Sequence, residues 1–244
     1  MRNMLRYLFK PSGNDREAIK SAYYESVGPT QVTMVLAFLA GAIFLALTFI
    51  YPPYFGGTTV LYHQICYVSI LSIAAVWMIG CRYAMKDYSS RFHIVFVLNH
   101  FLGISLHLWV ISLVIVNSLA RGTCDTTLFM TVALVVPLCV YFTPIVYFII
   151  AILSNASMAF FLYYMVSMGS IEPNELANFT IFSVFQVVMG VIMSYTRYRL
   201  NEQLVTAEKQ RQEILAANAR VNLDELFNQI SEGVKTLNII VKAD

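Results

Sequence analysis

Charge is scarce in this sequence. Asp, Glu, Lys and Arg make up 12% of its 244 residues, against about 25% in an average soluble domain. Between residues 31 and 196 each of these charges falls in a short polar interval or at its edge. Proton relays, voltage sensors and carriers of charged substrates bury ionisable groups at membrane depth, so this lack speaks against all three. A net charge of +2 is too small to point to nucleic acid, and no nucleic-acid partner is expected. Cysteine is sparse as well. Cys66, Cys81, Cys124 and Cys139 have neither metal-ligand spacing nor the pattern of a disulfide framework. Glycines are scattered, without a phosphate-binding loop, and neither a nucleophile–base pair nor a carboxylate dyad stands out. No catalytic residue, metal site or cofactor is expected, and the chain is not read as an enzyme.

Apolar residues are abundant instead. They form 58% of the chain, and the mean hydropathy is +0.66. A spanning helix needs about 20 mostly apolar residues. Six stretches meet or approach this: 32–51, 61–81, 93–116, a short one at 127–142, 145–166 and 179–195. Pro52-Pro53 stops the first, Pro144 opens the fifth, and Pro137 is the break candidate inside the fourth. The fold class is therefore an all-α polytopic membrane bundle of about six transmembrane helices, followed by a cytoplasmic C-terminal helix and a short tail. Tyr51, Tyr54, Tyr62, Tyr83, Tyr141 and Tyr195 lie near the span ends, as an interfacial aromatic belt requires.

The cations orient the bundle. Arg2, Arg6, Lys10, Arg16 and Lys20 precede the first span, Arg82, Lys86 and Arg91 follow the second, and Arg197 and Arg199 follow the sixth. The alternate intervals carry only Arg121. Both ends are accordingly expected in the cytoplasm. Residues 1–30 read as a surface-lying segment, with Asn14 and Glu17 as the capping box of a short helix. Pro11, Asn14, Asp15 and Arg16 stand where a signal peptide would be apolar.

Large polar side chains inside apolar spans should face inward, because lipid offers them no hydrogen bonds. His93, His100 and His107 recur every seven residues along one helix face. At about 10 Å per two turns they are too far apart to share one metal. With His63, Asn155 and Gln186, and with Ser154 and Ser157 nearby, His100 and His107 define a candidate ligand pocket in the outer half of the bundle. Such a cluster has three chemical uses: interhelical hydrogen bonds that fix the bundle, a small-ligand sensor pocket, or a haem or metal site.

Residues 196–220 turn charged and rich in Gln, Glu and Ala. Leu200, Leu204, Ala207 and Ile214 follow heptad steps, a weak dimerisation seam interrupted by Arg211. Residues 222–230 read as a further short helix capped by Asn222, and 237–241 as a strand, so that 221–244 looks like the opening of an incomplete domain.

Two resemblances complete the sequence. In layout, with a basic start, six spans and a charged exit helix, residues 1–205 resemble the membrane input regions of bacterial GGDEF diguanylate cyclases and sensor histidine kinases. The GGDEF signature and the phosphoacceptor His box are absent, so the output activity would lie outside this chain. The tail at 207–244 carries Ala-Glu-Lys-Gln-Arg-Gln-Glu-Ile-Leu from Ala207, then Asn-Leu-Asp-Glu-Leu-Phe-Asn-Gln-Ile from Asn222, and Leu-Asn-Ile-Ile-Val-Lys-Ala-Asp from Leu237. It is similar to a linking helix and first strand of bacterial translation initiation factor two, without that factor's GTPase or tRNA-binding parts. The expected function is a sensory input module in the bacterial inner membrane, homodimeric and open to a small neutral ligand. The alternatives are a small transporter or channel for a neutral solute, and an inert membrane fragment fused to a translation-factor-like tail.

Overall fold

The computed structural model of the chain describes residues 13–55, 57–121, 124 and 126–231. The basic stretch with Arg2, Arg6 and Lys10 and the expected strand at 237–241 lie outside the described residues. All regular elements within them are helical. They are α1 (Gly13–Ile50), α2 (Val60–Met85), α3 (Tyr88–Arg121), α4 (Thr127–Cys139), α5 (Pro144–Ser167) and α6 (Pro173–Ser231), with 3₁₀ turns at Pro52–Phe55 and Gly57–Thr59 between α1 and α2. Five of the six helices are long and apolar enough to cross a membrane. The sixth, α4, has 13 residues and is about 20 Å long, short of the roughly 30 Å of a hydrocarbon core.

The chain is sorted inside out relative to a water-soluble bundle. Phe160, Ile79, Ile181 and Leu153 are 75%, 71%, 71% and 63% exposed, while Gln186, Asn99 and His107 are 0%, 0% and 2% exposed. Water would penalise so much apolar surface. Lipid would penalise unpaired amides and imidazoles, and the arrangement satisfies the second constraint.

Several expected boundaries move. The first span does not begin near residue 32. α1 is one helix from Gly13, and it runs through Pro29. Tyr23 is the reason. Its ring is fully buried, with Phe92, Phe96 and Tyr141 at 5.7, 5.3 and 4.9 Å. The Tyr88 hydroxyl donates to Lys20 O at 2.5 Å. Residues 17–30 are thus packed against α3 and do not form a separate surface-lying helix. The Pro29 ring removes one backbone donor, and Thr33 Oγ1 donates to its carbonyl at 3.0 Å. No helix start occurs at Asn222 either, because α6 passes through it to Ser231.

The chain divides after Glu202 into two units, Met1–Glu202 and Gln203–Asp244. The first unit holds α1 to α5, the start of α6 and the buried core, centred on Trp77, Tyr23, Tyr141, Tyr147 and Phe142. In the second unit, Leu204, Ile214, Leu215 and Phe227 are exposed along α6.

Candidate functional site

The five candidate pocket residues do not share one pocket. Asn155 of α5 and Gln186 of α6 meet in a closed network. Asn155 Nδ2 donates to Gln186 Oε1 at 2.6 Å and to Ala151 O at 2.8 Å. Gln186 Nε2 donates to Tyr147 Oη at 2.7 Å and to Ala133 O at 3.2 Å. One amide therefore ties α4, α5 and α6 together. Gly190 lets Tyr147 in: a Cβ at that position would fall on the Tyr147 ring. Among the described residues Asn155 Oδ1 alone in this network finds no partner. Ser157, expected to face inward, is exposed instead. Its hydroxyl donates to Leu153 O at 2.9 Å, and a serine satisfied by its own helix has no need of the interior.

His63 lies elsewhere, in the first turn of α2 and opposite the last turn of α3. Its Nε2 is 2.9 Å from the Asn117 side chain and its Nδ1 3.1 Å from Thr59 O. The Thr59 carbonyl can only accept, so the proton of a neutral ring sits on Nδ1. The structure places Asn117 Oδ1 against Nε2, and turning that amide by 180° brings its NH₂ end there as the donor this tautomer needs. The Phe55 ring meets the imidazole edge-on at 5.3 Å. This pair borders a cavity of about 350 Å³ between α1, α2 and α3. Its wall is apolar, with Ala37, Ala40, Gly41 and Phe44 of α1, Ile70 of α2 and Leu113 of α3. His63, Asn117 and Arg121 also line it, and the Arg121 guanidinium lies 5.5 Å from the Tyr54 ring centre. Gly41 is where α1 packs closely on α2, since a Cβ there would stand 2.9 Å from Ile70 Cγ2.

The histidines of α3 have three different surroundings. His93 is exposed. His100 is half-buried among aromatic rings, with Phe96 at 4.1 Å and Tyr23 and Phe142 at about 6 Å. His107 is buried and borders a second cavity, between α3 and α5. Two asparagines that the sequence reading passes over carry as much of the polar interior. Asn117 partners His63. Asn99 Oδ1 accepts from Trp77 Nε1 at 3.0 Å, and its Nδ2 reaches Ser26 Oγ at 3.4 Å. The rule that selected Asn155, a large amide inside an apolar run, selects Asn99 equally. Asn117 escapes because it stands at a span end.

The end of α4 is the other irregular place. The helix stops at Cys139, and Val140, Tyr141 and Phe142 are buried. The Thr30 hydroxyl donates to Cys139 O at 2.6 Å, and the Arg197 guanidinium donates to Leu138 O. A hydroxyl and a cation thus meet carbonyls that a helix C-terminus leaves orphaned. Phe142 packs on bare backbone, because a Cβ on Gly103 would fall on its ring. Arg197, expected in an interval outside the membrane, is half-buried against the bundle. Among the described residues, no group of three or more His, Cys, Asp or Glu is placed to hold a metal ion.

No protein-family model matches the chain, and no solved structure matches it. A 37-residue segment, 15% of the chain, is 73% identical to translation initiation factor IF-2 of Acetivibrio thermocellus and covers 4% of that protein. Its length agrees with the likeness of the tail at 207–244.

Proposed function

We propose that this chain is the membrane-embedded input module of a bacterial signalling protein, crossing the inner membrane as a bundle of about six helices with both ends cytoplasmic. The cavity beside His63 carries the proposal. About 350 Å³ is within the range of small-molecule sites. A mainly apolar wall with a few polar groups suits a small, neutral, mainly apolar ligand whose polar atoms reach His63 and Asn117. Cation placement puts these two residues on the outer side. The layout also fits the input regions of GGDEF cyclases and sensor kinases. In mechanism, the ligand biases two packings of α1, α2 and α3. The homodimer expectation draws on Leu200, Leu204 and Ile214, all about half-exposed or more on α6. The IF-2 likeness covers too little of that protein to bring a translation role here.

Two measurements test the proposal. Cysteines at Leu200 and Leu204 should cross-link between copies in native membranes. Filling the cavity by Ala40→Trp should change the ratio of the two cross-links. Absence of any cross-link removes the dimeric module, and an unchanged ratio removes the coupling to the cavity.

A transport reading has one observation of its own, the end of α4. Transporters place substrate at helices interrupted at membrane depth, and α4 combines Pro137 with a buried non-helical stretch at Val140–Phe142. Flux of a neutral solute into liposomes holding only this chain, lost on Phe142→Ala, would favour it.

A further inference from the structure

An open groove of about 590 Å³ runs between α1 and α2 near the end of α2. Glu25, Gly28 and Gln31 of α1 and Trp77, Met78 and Arg82 of α2 line it. Glu25 and Arg82 carry opposite charges, and both are exposed. Among the described residues no ion pair joins these two side chains or engages either of them elsewhere. Gly28 brings no side chain into the groove, and a Cβ there would meet nothing within 4 Å. Pro29 lies inside α1 and has no N–H, so the Glu25 carbonyl lacks its helical donor four residues on. One helix therefore offers a carboxylate and a backbone acceptor, and the other offers a guanidinium.

The height of the groove selects what bridges these groups. Toward the start of α1 the sequence is charged, with Glu17 and Lys20. Just past Gln31, Val32 and Leu36 are 62% and 61% exposed, and Ile79, one turn before Arg82, is 71% exposed. The outward surface thus changes from charged to apolar along the groove itself, which is the level of lipid headgroups. Tyr83, half-exposed beside Arg82, suits the same interface. A divalent cation would find a single carboxylate with a guanidinium opposite. A phosphatidylglycerol headgroup would meet Arg82 but bring nothing positive for Glu25. A choline headgroup carries both charges, yet its quaternary nitrogen has no N–H to donate. An ethanolamine headgroup brings a phosphate for Arg82 and three N–H donors for the Glu25 carboxylate and carbonyl. Trp77 and Met78 give its chains an apolar wall.

We propose that the α1–α2 groove binds the headgroup of a phosphatidylethanolamine molecule, its ammonium held by Glu25 and its phosphate by Arg82. This rests on the bundle spanning a membrane but not on the cavity beside His63, so either site can fail without the other. The test uses the full chain in nanodiscs of equal parts phosphatidylethanolamine, phosphatidylcholine and phosphatidylglycerol, with the lipids it retains weighed by native mass spectrometry. Phosphatidylethanolamine should be retained about threefold over each of the others, the ratio for a partly exposed ion pair. Glu25→Gln should remove the preference over phosphatidylcholine, and Glu25→Arg should turn it toward phosphatidylglycerol. Gly28→Leu, which fills the groove from a helix position, should lose the retained phosphatidylethanolamine. Each variant changes an exposed residue, so its thermal midpoint should stay within about 2 °C of the parent, which shows that it folds. Equal retention of the three lipids overturns the proposal, and so does a preference that survives Glu25→Gln. Displacement of the lipid by an equimolar amount of soluble phosphoethanolamine would assign the groove to a solute and overturns it as well.

Discussion

The Gln186 network and the His63 cluster are built from the same kinds of residue and end in opposite states. Gln186 is fully enclosed and joins three helices through three polar contacts. His63 is just as buried, yet it makes two contacts at the end of its helix and stands beside a cavity of about 350 Å³. The difference lies in the neighbours. Gly190 admits the Tyr147 ring against the backbone and closes the first cluster. Ala37 and Ala40 of α1 border space that no aromatic ring fills, and the second stays open. Small residues thus seal one polar cluster and open the other, according to whether a large side chain is at hand to use the room.

The largest break in this contrast should come from Gly190→Leu. The added side chain meets the Tyr147 ring, and overpacking on this scale costs about 3 kcal/mol. For a chain of this size the thermal midpoint in detergent should fall by roughly 6–12 °C. A change below 2 °C would mean that the close approach does not exist. Next is Gln186→Leu, which strands Asn155 and the Tyr147 hydroxyl at about 1–2 kcal/mol. The double variant Gln186→Leu/Asn155→Leu should cost less than the sum of the singles by at least about 0.5 kcal/mol. Strict additivity would show that the two amides are not paired.

His63→Leu should cost less than about 1 kcal/mol, because the cavity lets Asn117 find new partners. If its midpoint drops as far as that of Gln186→Leu, the His63 cluster is a structural knot and not an open site. The smallest effect belongs to Glu202→Gln. It removes the 2.5 Å pair with Arg199, which is 43% exposed on the arginine side and 22% on the glutamate side. Surface pairs of this spacing contribute below about 0.5 kcal/mol, so a larger loss would mark Glu202 as part of the core.

Much of the bundle could be read from residues alone. Apolar runs located the long helices, Pro52-Pro53 and Pro144 marked an end and a start, and large polar side chains in those runs are buried, as His107, Asn155 and Gln186 are. Their grouping could not be read. A helical period shows which side of a helix a residue takes but not which neighbour it meets there. His63 and His107, alike in expected depth, line different cavities between different helices. Residues 17–30 misled for a related reason. Arg16, Glu17 and Lys20 suggest a surface-lying segment, and only the aromatic surface offered by Phe92, Phe96 and Tyr141 makes burial of Tyr23 favourable.

The sequence by itself determined the solvent: with so few charges and such long apolar runs, the outward faces must be apolar and the amides must turn in, because backbone and side-chain polar groups have no partners in lipid. The tertiary structure decided which polar clusters close and which stay open. That depends on whether a ring lies opposite a glycine, as Tyr147 does at Gly190, or whether the space remains, as it does beside Ala40 and His63. Packing at this scale is a property of two helices together, and no single stretch of chain contains it.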